Sequence, residues 1–296
     1  MQIKFSNSTL FTTCVLIWGS TWLAITYQLG VVAPEMSVGY RFTLAGVVLF
    51  AFCKWRGISL AFGRAAHIDL FLMGLGMYCV SYIFVYVAET YIVSGMVAVG
   101  YSASPMLAMF ASRAFFGTPI TRPVVMGSVL GIVGIVLVFW HEFAHVGESR
   151  NATLGAWFTM LSVVISCGGT MLAIRVQQRK LPIWPTMAWG MFYGGVTALV
   201  IGLALGKPLN FSMTFPYVGT LLYLALLGSI VTFAGYLTLV ARIGAAPASY
   251  IGVMTPVVAL VVSAVFEKFA WGLLTFSGVA LLVVGNVFML RSKKAA

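Results

Sequence analysis

Long apolar stretches alternate with short polar ones along the whole chain. Each apolar stretch holds about 20 residues, the number that a helix needs to cross the hydrocarbon core of a bilayer. Proline, glycine and charged residues separate the stretches, for example Pro34 with Glu35, and Glu267 with Lys268. We therefore predict ten transmembrane helices, called segments 1 to 10, at 8–28, 35–53, 68–88, 92–115, 123–140, 153–176, 184–205, 217–238, 246–265 and 270–290.

Composition supports an all-α polytopic membrane protein. Hydrophobic residues make up 61% of the 296 and charged residues only 8%, whereas a soluble domain carries roughly a quarter charged residues. The net charge of +11 does not indicate nucleic-acid binding, because the basic residues lie in clusters between apolar stretches and not along one helix face. Segment 1 continues through Trp18, Trp22 and Tyr27, so we expect an uncleaved helix and not a signal peptide.

The basic residues also predict an orientation, since Lys and Arg accumulate in cytoplasmic loops. With the N-terminus inside, three basic residues face outside: Arg150, Lys207 and Lys268. Thirteen face inside: Lys4, Lys54, Arg56, Arg64, Arg113, Arg122, Arg175, Arg179, Lys180, Arg242, Arg291, Lys293 and Lys294. We expect a multi-pass protein of the inner (plasma) membrane with both termini in the cytoplasm.

The chain matches itself at an offset near 150 residues. Residues 19–28 and 168–177 share six of ten identities, and an offset of 151 aligns Pro105 with Pro256 and Gly127 with Gly278. These matches predict two five-helix repeats, residues 1–145 and 146–296, forming one membrane domain. Five is odd, so the second repeat is inverted, an arrangement common in secondary transporters. Small residues on segments 5 and 10 predict close helix packing: Gly127, Gly131, Gly278 and Gly285.

Short motifs in both halves carry a family resemblance. They are Trp18-Gly19-Ser20-Thr21-Trp22, Pro34 with Tyr40-Arg41-Phe42, Ser94-Gly95, Ser104-Pro105, Ala245-Ala246-Pro247-Ala248-Ser249, Thr255-Pro256 and Phe266-Glu267. In order and spacing the chain resembles the EamA-type family of the drug/metabolite transporter superfamily, and within it aromatic amino acid exporters of the YddG type. One departure is Phe116, which stands where the family usually has an acidic residue. The resemblance implies a cavity lined by segments 1, 3, 4, 6, 8 and 9, and it implies export.

Aromatic and hydroxyl side chains within these segments are candidates for the cavity wall. On segment 3, Tyr78, Tyr82, Tyr86 and Glu89 are spaced to share one helix face; an interfacial aromatic belt is the alternative interpretation. Such residues stack on a ring and hydrogen-bond a polar head group. The candidate pathway residues are Trp18, Thr21, Trp22, Tyr78, Tyr82, Tyr86, Tyr101, Thr170, Tyr236 and Tyr250.

Charge within the membrane is scarce, which limits the cargo. No Lys lies in mid-span, and no Asp or Glu lies in the central third of a predicted helix. We therefore expect two partners, a neutral or zwitterionic small-molecule substrate and the lipid bilayer, and no nucleic acid, cofactor, metal or catalytic residue. Arg41 is expected to snorkel outward or to form a structural pair. Glu89 is expected to be solvated at a helix end.

Prolines at equivalent places in the two repeats are candidate hinges. Each removes one backbone donor and loosens its helix, and paired interruptions are typical of a substrate site or gate. A kink that only helps packing is the alternative. The candidate gate or hinge residues are Ser104, Pro105, Thr255 and Pro256.

His141-Glu142-Phe143-Ala144-His145 matches the HExxH pattern of zinc proteases, and an intramembrane metalloprotease is one rival function. The motif lies at a helix end and lacks a well-placed third ligand, so we expect a transporter and not an enzyme. A multidrug, nucleoside or other metabolite carrier is the second rival, and a channel is the third. The sequence leaves the oligomeric state open.

Overall fold

Helices account for 82% of the chain in a computed structural model, with no strand among the residues that it describes. Those residues are 5–117, 120, 122–144, 150–243, 248, 250–269 and 271–292. The α-helices are α1 (Asn7–Thr26), α2 (Pro34–Trp55), α3 (Arg64–Gly74), α4 (Ser81–Ala88), α5 (Ser94–Tyr101), α6 (Ser104–Phe116), α7 (Arg122–Ala144), α8 (Arg150–Gln178), α9 (Ile183–Ala204), α10 (Phe215–Leu222), α11 (Thr232–Ile243), α12 (Tyr250–Phe266) and α13 (Leu273–Ser292). Their limits fall close to the ten predicted segments.

Segments 3 and 8 each contain a stretch of π-helix that the sequence pattern does not predict. These are π1 (Leu75–Val80), between α3 and α4, and π2 (Tyr223–Val231), between α10 and α11. A π-helix bonds each carbonyl to the amide five residues ahead, so it is wider than an α-helix and is frequent at functional sites. In π2 the Ser229 hydroxyl donates to the carbonyl of Leu224, five residues earlier, at 2.9 Å.

Seven helices of the described chain are long and apolar enough to cross a membrane. They correspond to segments 1 to 4 and 6 to 8, and three shorter apolar helices, Val125–Trp140, Ile251–Phe266 and Leu273–Phe288, fall in the other three segments. The prediction of an all-helical, multi-pass membrane protein is thus confirmed. The count of ten spans and the inverted repeat remain predictions.

The chain divides into two compact units. Unit 1 holds Met1–Ala24, Ala88–Trp157 and Val231–Ala296, and unit 2 holds Ile25–Val87 and Phe158–Ile230. Each unit takes residues from both predicted repeats, so segments far apart in sequence pack together within it. The predicted boundary at residue 145 lies outside the described residues.

In unit 1, α7 and α13 pack closely through glycines. A Cβ atom on Gly278 would lie 2.6 Å from the carbonyl oxygen of Gly134, and one on Gly285 would lie 2.6 Å from that of Gly127. The higher-numbered residue of one helix thus meets the lower-numbered residue of the other, so the helices run antiparallel. The predicted role in helix packing is confirmed for Gly127, Gly278 and Gly285, whereas Gly131 has open space where a side chain would lie.

In unit 2, α2 and α9 form a second antiparallel pair. Gly39 faces Leu199, and a Cβ atom on Gly46 would lie 2.8 Å from the backbone nitrogen of Phe192. Segment 3 packs on the same helix, because a Cβ atom on Gly194 would lie 2.7 Å from the Cβ of Tyr78. This close approach sets the positions of the aromatic side chains of α2 and segment 3.

Two glycines one turn apart on α7 give a test of this packing. A Cβ atom on Gly134 would lie 2.8 Å from Leu282 Cγ, whereas one on Gly131 would meet nothing within 4 Å. We expect Gly134→Ala to lower the free energy of unfolding by about 1–3 kcal/mol through overpacking. Gly131→Ala is the matched control and should raise it by up to about 1 kcal/mol, since alanine favours the helix. Denaturation in detergent, followed by circular dichroism, compares the two variants, and equal effects would contradict the described packing.

Candidate functional site

The aromatic residues of segments 1 and 8 meet in unit 1. The ring centroid of Trp18 lies 5.4 Å from that of Phe233 and 5.8 Å from that of Tyr236. Beside them, Thr21 is buried and donates to the Trp18 carbonyl at 2.7 Å, within its own helix. The predicted residues Trp18 and Tyr236 therefore come together, and Phe233 joins them although the sequence did not single it out.

Segments 1 and 4 meet at a second aromatic pair in unit 1. The ring centroids of Trp22 and Tyr101 lie 5.1 Å apart with their planes at 56°. The indole nitrogen of Trp22 is buried and has no hydrogen-bond partner among the described residues. A buried N–H without a partner is unfavourable, and it is available to a polar group of a bound molecule. Trp22 and Tyr101, both predicted, thus combine an aromatic surface with an unused donor.

A hydrogen-bonded cluster joins the start of α5 to the end of α12. The Glu267 carboxylate accepts from the Ser94 amide at 3.1 Å and from the Ser94 hydroxyl at 2.5 Å. The Ser263 hydroxyl also bonds Glu267 and accepts from the amide of Gly95 at 2.8 Å. Orphan amides at a helix N-terminus attract a carboxylate. This cluster, called the α5–α12 latch, consists of Ser94, Gly95, Ser263 and Glu267.

The two predicted hinges differ in the structure. Segment 4 is interrupted at Ser102 and Ala103, and α6 then begins at Ser104 with Pro105 as its second residue. Pro256 instead lies inside the continuous helix α12. The Ser104 hydroxyl is buried without a hydrogen-bond partner among the described residues, whereas Thr255 donates to the Ile251 carbonyl at 2.8 Å. The side chain of Pro105 lies outside the described residues.

The tyrosines of segment 3 lie in unit 2, and two of them are buried. Tyr86 is fully buried and donates to the side-chain oxygen of Gln28 at 3.2 Å. The amide nitrogen of Gln28 donates to the Tyr217 carbonyl at 3.3 Å, and the Tyr217 hydroxyl bonds Ser37 at 2.9 Å. Tyr86 thus belongs to a buried network that links the end of segment 1 with segments 2, 3 and 8, a placement that does not fit an interfacial aromatic belt.

Arg41 lies among aromatic rings in the same unit. Its side chain is 1% exposed, so it neither snorkels to the surface nor reaches water in this conformation. The guanidinium carbon lies 4.7 Å from the ring centroid of Tyr82 and 4.9 Å from that of Phe42, while Nε donates to the Ser229 hydroxyl at 3.3 Å. The ring of Phe42 also packs on Tyr78 at 5.3 Å and on Tyr82 at 4.7 Å.

The structure says less about the remaining predicted residues. Thr170 is half-buried and donates to the Ser166 carbonyl at 2.9 Å, within its own helix. Glu89 is only 7% exposed, so the expectation of a solvated carboxylate is wrong. The side chain of Tyr250 lies outside the described residues, as do His145 and the side chains of His141 and Glu142, so the HExxH motif is not described.

Comparison with known proteins gives these features a family. A model of the EamA-like transporter family matches residues 8–140 and again residues 153–291. The inner membrane transporter YedA of Escherichia coli strain K12, itself called uncharacterized, is 27% identical over 285 residues, covering 92% of this chain and 88% of its own. An uncharacterized transporter of Archaeoglobus fulgidus is 23% identical over 290 residues, covering 94% of this chain and 96% of its own.

A solved structure supports the same fold. The match to this crystal structure of a protein has a TM-score of 0.71 and 17% sequence identity, and it covers 98% of both chains. At this identity the likeness concerns the fold alone. The family match extends over nearly the whole chain, and the two relatives described above are both called transporters. The chain belongs to the EamA-like transporter family, within the drug/metabolite transporter superfamily, and is a multi-pass membrane transporter.

Proposed function

We propose that this protein exports amino acids, aromatic ones included, by alternating access. The observation that carries the proposal is the Trp22–Tyr101 pair, in which an aromatic surface lies beside a buried indole N–H without a partner among the described residues. An aromatic ring can stack on the pair, and a polar group of the same molecule can accept from the indole. Trp18, Phe233 and Tyr236 add a second aromatic surface in unit 1.

Alternating access rests on the proposed inverted repeat. The offset of 151 aligns Gly127 with Gly278 and Gly134 with Gly285. Exchanging the two repeats therefore converts the Gly134–Gly278 contact into the Gly285–Gly127 contact, and the structure contains both. Reciprocal contacts between antiparallel helices are what a two-fold axis in the membrane plane produces. Inverted repeats supply two related states that open to opposite sides.

The proposed location and topology rest on the distribution of charge, whereas the proposed direction, export, rests on the family resemblance alone. The thirteen basic residues assigned to the inside, against three outside, favour an inner-membrane protein with both termini in the cytoplasm. In this orientation the α5–α12 latch lies at the external end of its helices. An exporter of this kind takes its cargo from the cytoplasm and releases it outside.

Counterflow in proteoliposomes tests the proposed cargo. Vesicles loaded with unlabelled phenylalanine are expected to accumulate labelled phenylalanine transiently, because a carrier exchanges substrate across the membrane and a channel does not. The panel adds leucine, a nucleoside and a cationic dye as competitors in the external medium. Inhibition by leucine but not by the nucleoside or the dye supports an amino acid exporter.

Two results would contradict the proposal. Counterflow of the nucleoside or the dye without counterflow of phenylalanine would favour the rival metabolite or multidrug carrier. Uptake of phenylalanine that does not saturate and is not stimulated by internal substrate would favour a channel. Empty vesicles and vesicles carrying heat-denatured protein serve as controls for leakage.

A further inference from the structure

Arg41 carries a buried charge that the proposed function does not use. It lies on α2 and is 1% exposed, among the largest fully buried side chains of the described chain. Burying a guanidinium is unfavourable unless it is paired and hydrogen-bonded. In a membrane protein an ionisable residue away from water is therefore a candidate functional residue.

The charge of Arg41 is not neutralised within unit 2. This unit contains two carboxylates, and neither forms an ion pair with Arg41 in the part of the chain that the structure describes. Asp69 pairs with Arg179 at 2.8 Å. Glu35 lies in the first turn of α2, where the helix N-terminus already favours a negative charge.

The hydrogen bonds of the guanidinium are incomplete as well. Nε donates to the Ser229 hydroxyl, which in turn donates to the Leu224 carbonyl. Nη1 is buried and has no hydrogen-bond partner among the described residues. An arginine presents its donors in a planar fork that matches the two oxygens of a carboxylate. An anionic oxygen is the partner that such a donor binds most strongly, and a carboxylate is the group of this kind that the proposed cargo carries.

One ring that covers Arg41 is itself partly exposed. Tyr82 covers the guanidinium at 4.7 Å and is itself only half-buried. A rotation of the Tyr82 side chain would uncover this face of the guanidinium. On the opposite element, Ser229 belongs to π2, and π-helical segments occur frequently where a helix serves function rather than packing.

We infer that Arg41 binds the carboxylate of the transported molecule and so makes the transporter select substrates that carry one. The inference rests on the proposed function and narrows its substrate class. Tyr82 covers the guanidinium when the site is closed. A cation–π contact alone does not explain the residue, because that contact leaves the in-plane donors of the guanidinium unused.

Three probes that differ in one group test the inference in proteoliposomes: phenylalanine, phenylalaninamide, which lacks the carboxylate, and 3-phenylpropionate, which lacks the amine. The wild-type protein is expected to transport both carboxylates at least about tenfold faster than the amide, since a site built for a polar group rejects an analogue without it. In Arg41→Gln the ratio of phenylalanine flux to amide flux should fall close to one.

Two further variants separate binding from structure. Arg56→Gln removes an exposed guanidinium just after the end of α2 and leaves Arg41 in place, so the flux ratio should stay at its wild-type value. Arg41→Lys keeps the charge but not the planar fork, and the ratio should fall about three- to tenfold while amide flux is unchanged. This variant also serves if Arg41→Gln does not fold, as judged by size-exclusion chromatography.

The outcomes are distinguishable. A parallel loss of all three fluxes in folded Arg41→Gln or Arg41→Lys, or a wild-type protein that transports the amide as fast as phenylalanine, would overturn the inference and leave the proposed function standing. Failure of the wild-type protein to exchange any amino acid would instead overturn the proposed function. A ratio that falls in the Arg41 variants and not in Arg56→Gln supports the assignment.

Discussion

Replacing Trp22 by alanine is expected to lower the exchange of phenylalanine by roughly tenfold to a hundredfold. The ring of Trp22 packs against that of Tyr101 with a centroid distance of 5.1 Å, and its buried N–H has no partner among the described residues. An aromatic contact and a hydrogen bond each contribute about 0.5–1.5 kcal/mol, and about 1.4 kcal/mol corresponds to a tenfold change. Losing both contacts with the substrate gives the stated range.

Two further variants separate the contribution of the aromatic ring from that of the indole N–H. Trp22→Phe keeps an aromatic ring and removes the N–H, so it should lose about half of the effect in free energy. Trp140→Ala is the matched control, because Trp140 also lies in unit 1 but is 51% exposed, as expected of a side chain that faces lipid. Initial rates of counterflow measure all three variants. Equal losses in Trp22→Ala and Trp140→Ala would show that Trp22 acts through stability and not through the substrate.

Large periodic features of this chain can be predicted from sequence. Apolar length and the polar breaks locate the helices, since the bilayer dictates both. Glycines at a constant offset predict the packing of segments 5 and 10, because only a small residue lets two helices approach. The aromatic residues around segment 1 can be predicted too. Trp18, Trp22, Tyr101 and Tyr236 are all predicted pathway residues, and they meet as two pairs in the structure.

Features that depend on partners far along the chain could not be predicted. The spacing of Tyr78, Tyr82 and Tyr86 assumes a regular α-helix, but π1 alters the turn that contains Tyr78, and propensity carries no signal for a π-helix. Arg41 lies close enough to a predicted helix end to snorkel, and only its neighbours from π2 and segment 3 show that it is buried. Glu89 is buried too, which its place near a predicted helix end does not reveal.

Part of the α5–α12 latch can be recognised in the sequence and part of it cannot. Ser94 and Glu267 stand out in the family motifs, but their contact joins residues 173 positions apart and has no local signature. What the sequence does reveal is an asymmetry. At the offset of 151, Ser94 aligns with Ala245 and Glu267 with Phe116. The equivalent place in the other repeat therefore lacks the carboxylate and one hydroxyl.

This asymmetry predicts a bias between the two states of the transporter. If the proposed alternating access is correct, the latch must break when the helix ends at Ser94 and Glu267 separate, and no equivalent bonds break when the other side opens. Hydrogen bonds to a charged group contribute about 1.5–3 kcal/mol each. We expect Glu267→Ala to raise the population open at the latch by about tenfold to a hundredfold, since about 1.4 kcal/mol is a factor of ten.

Thiol labelling measures this population. A cysteine at Ala98, which is fully buried on α5 one turn below Ser94, should react with a membrane-impermeant maleimide only when the latch end is open. Lys268→Gln is the matched control, since it removes a neighbouring charge that is exposed. Glu267→Gln keeps the shape of the side chain and should have an intermediate effect, because an amide oxygen still accepts a hydrogen bond but carries no charge. If Glu267→Ala labels at the rate of Lys268→Gln while both remain folded, the latch holds the helices together without controlling access.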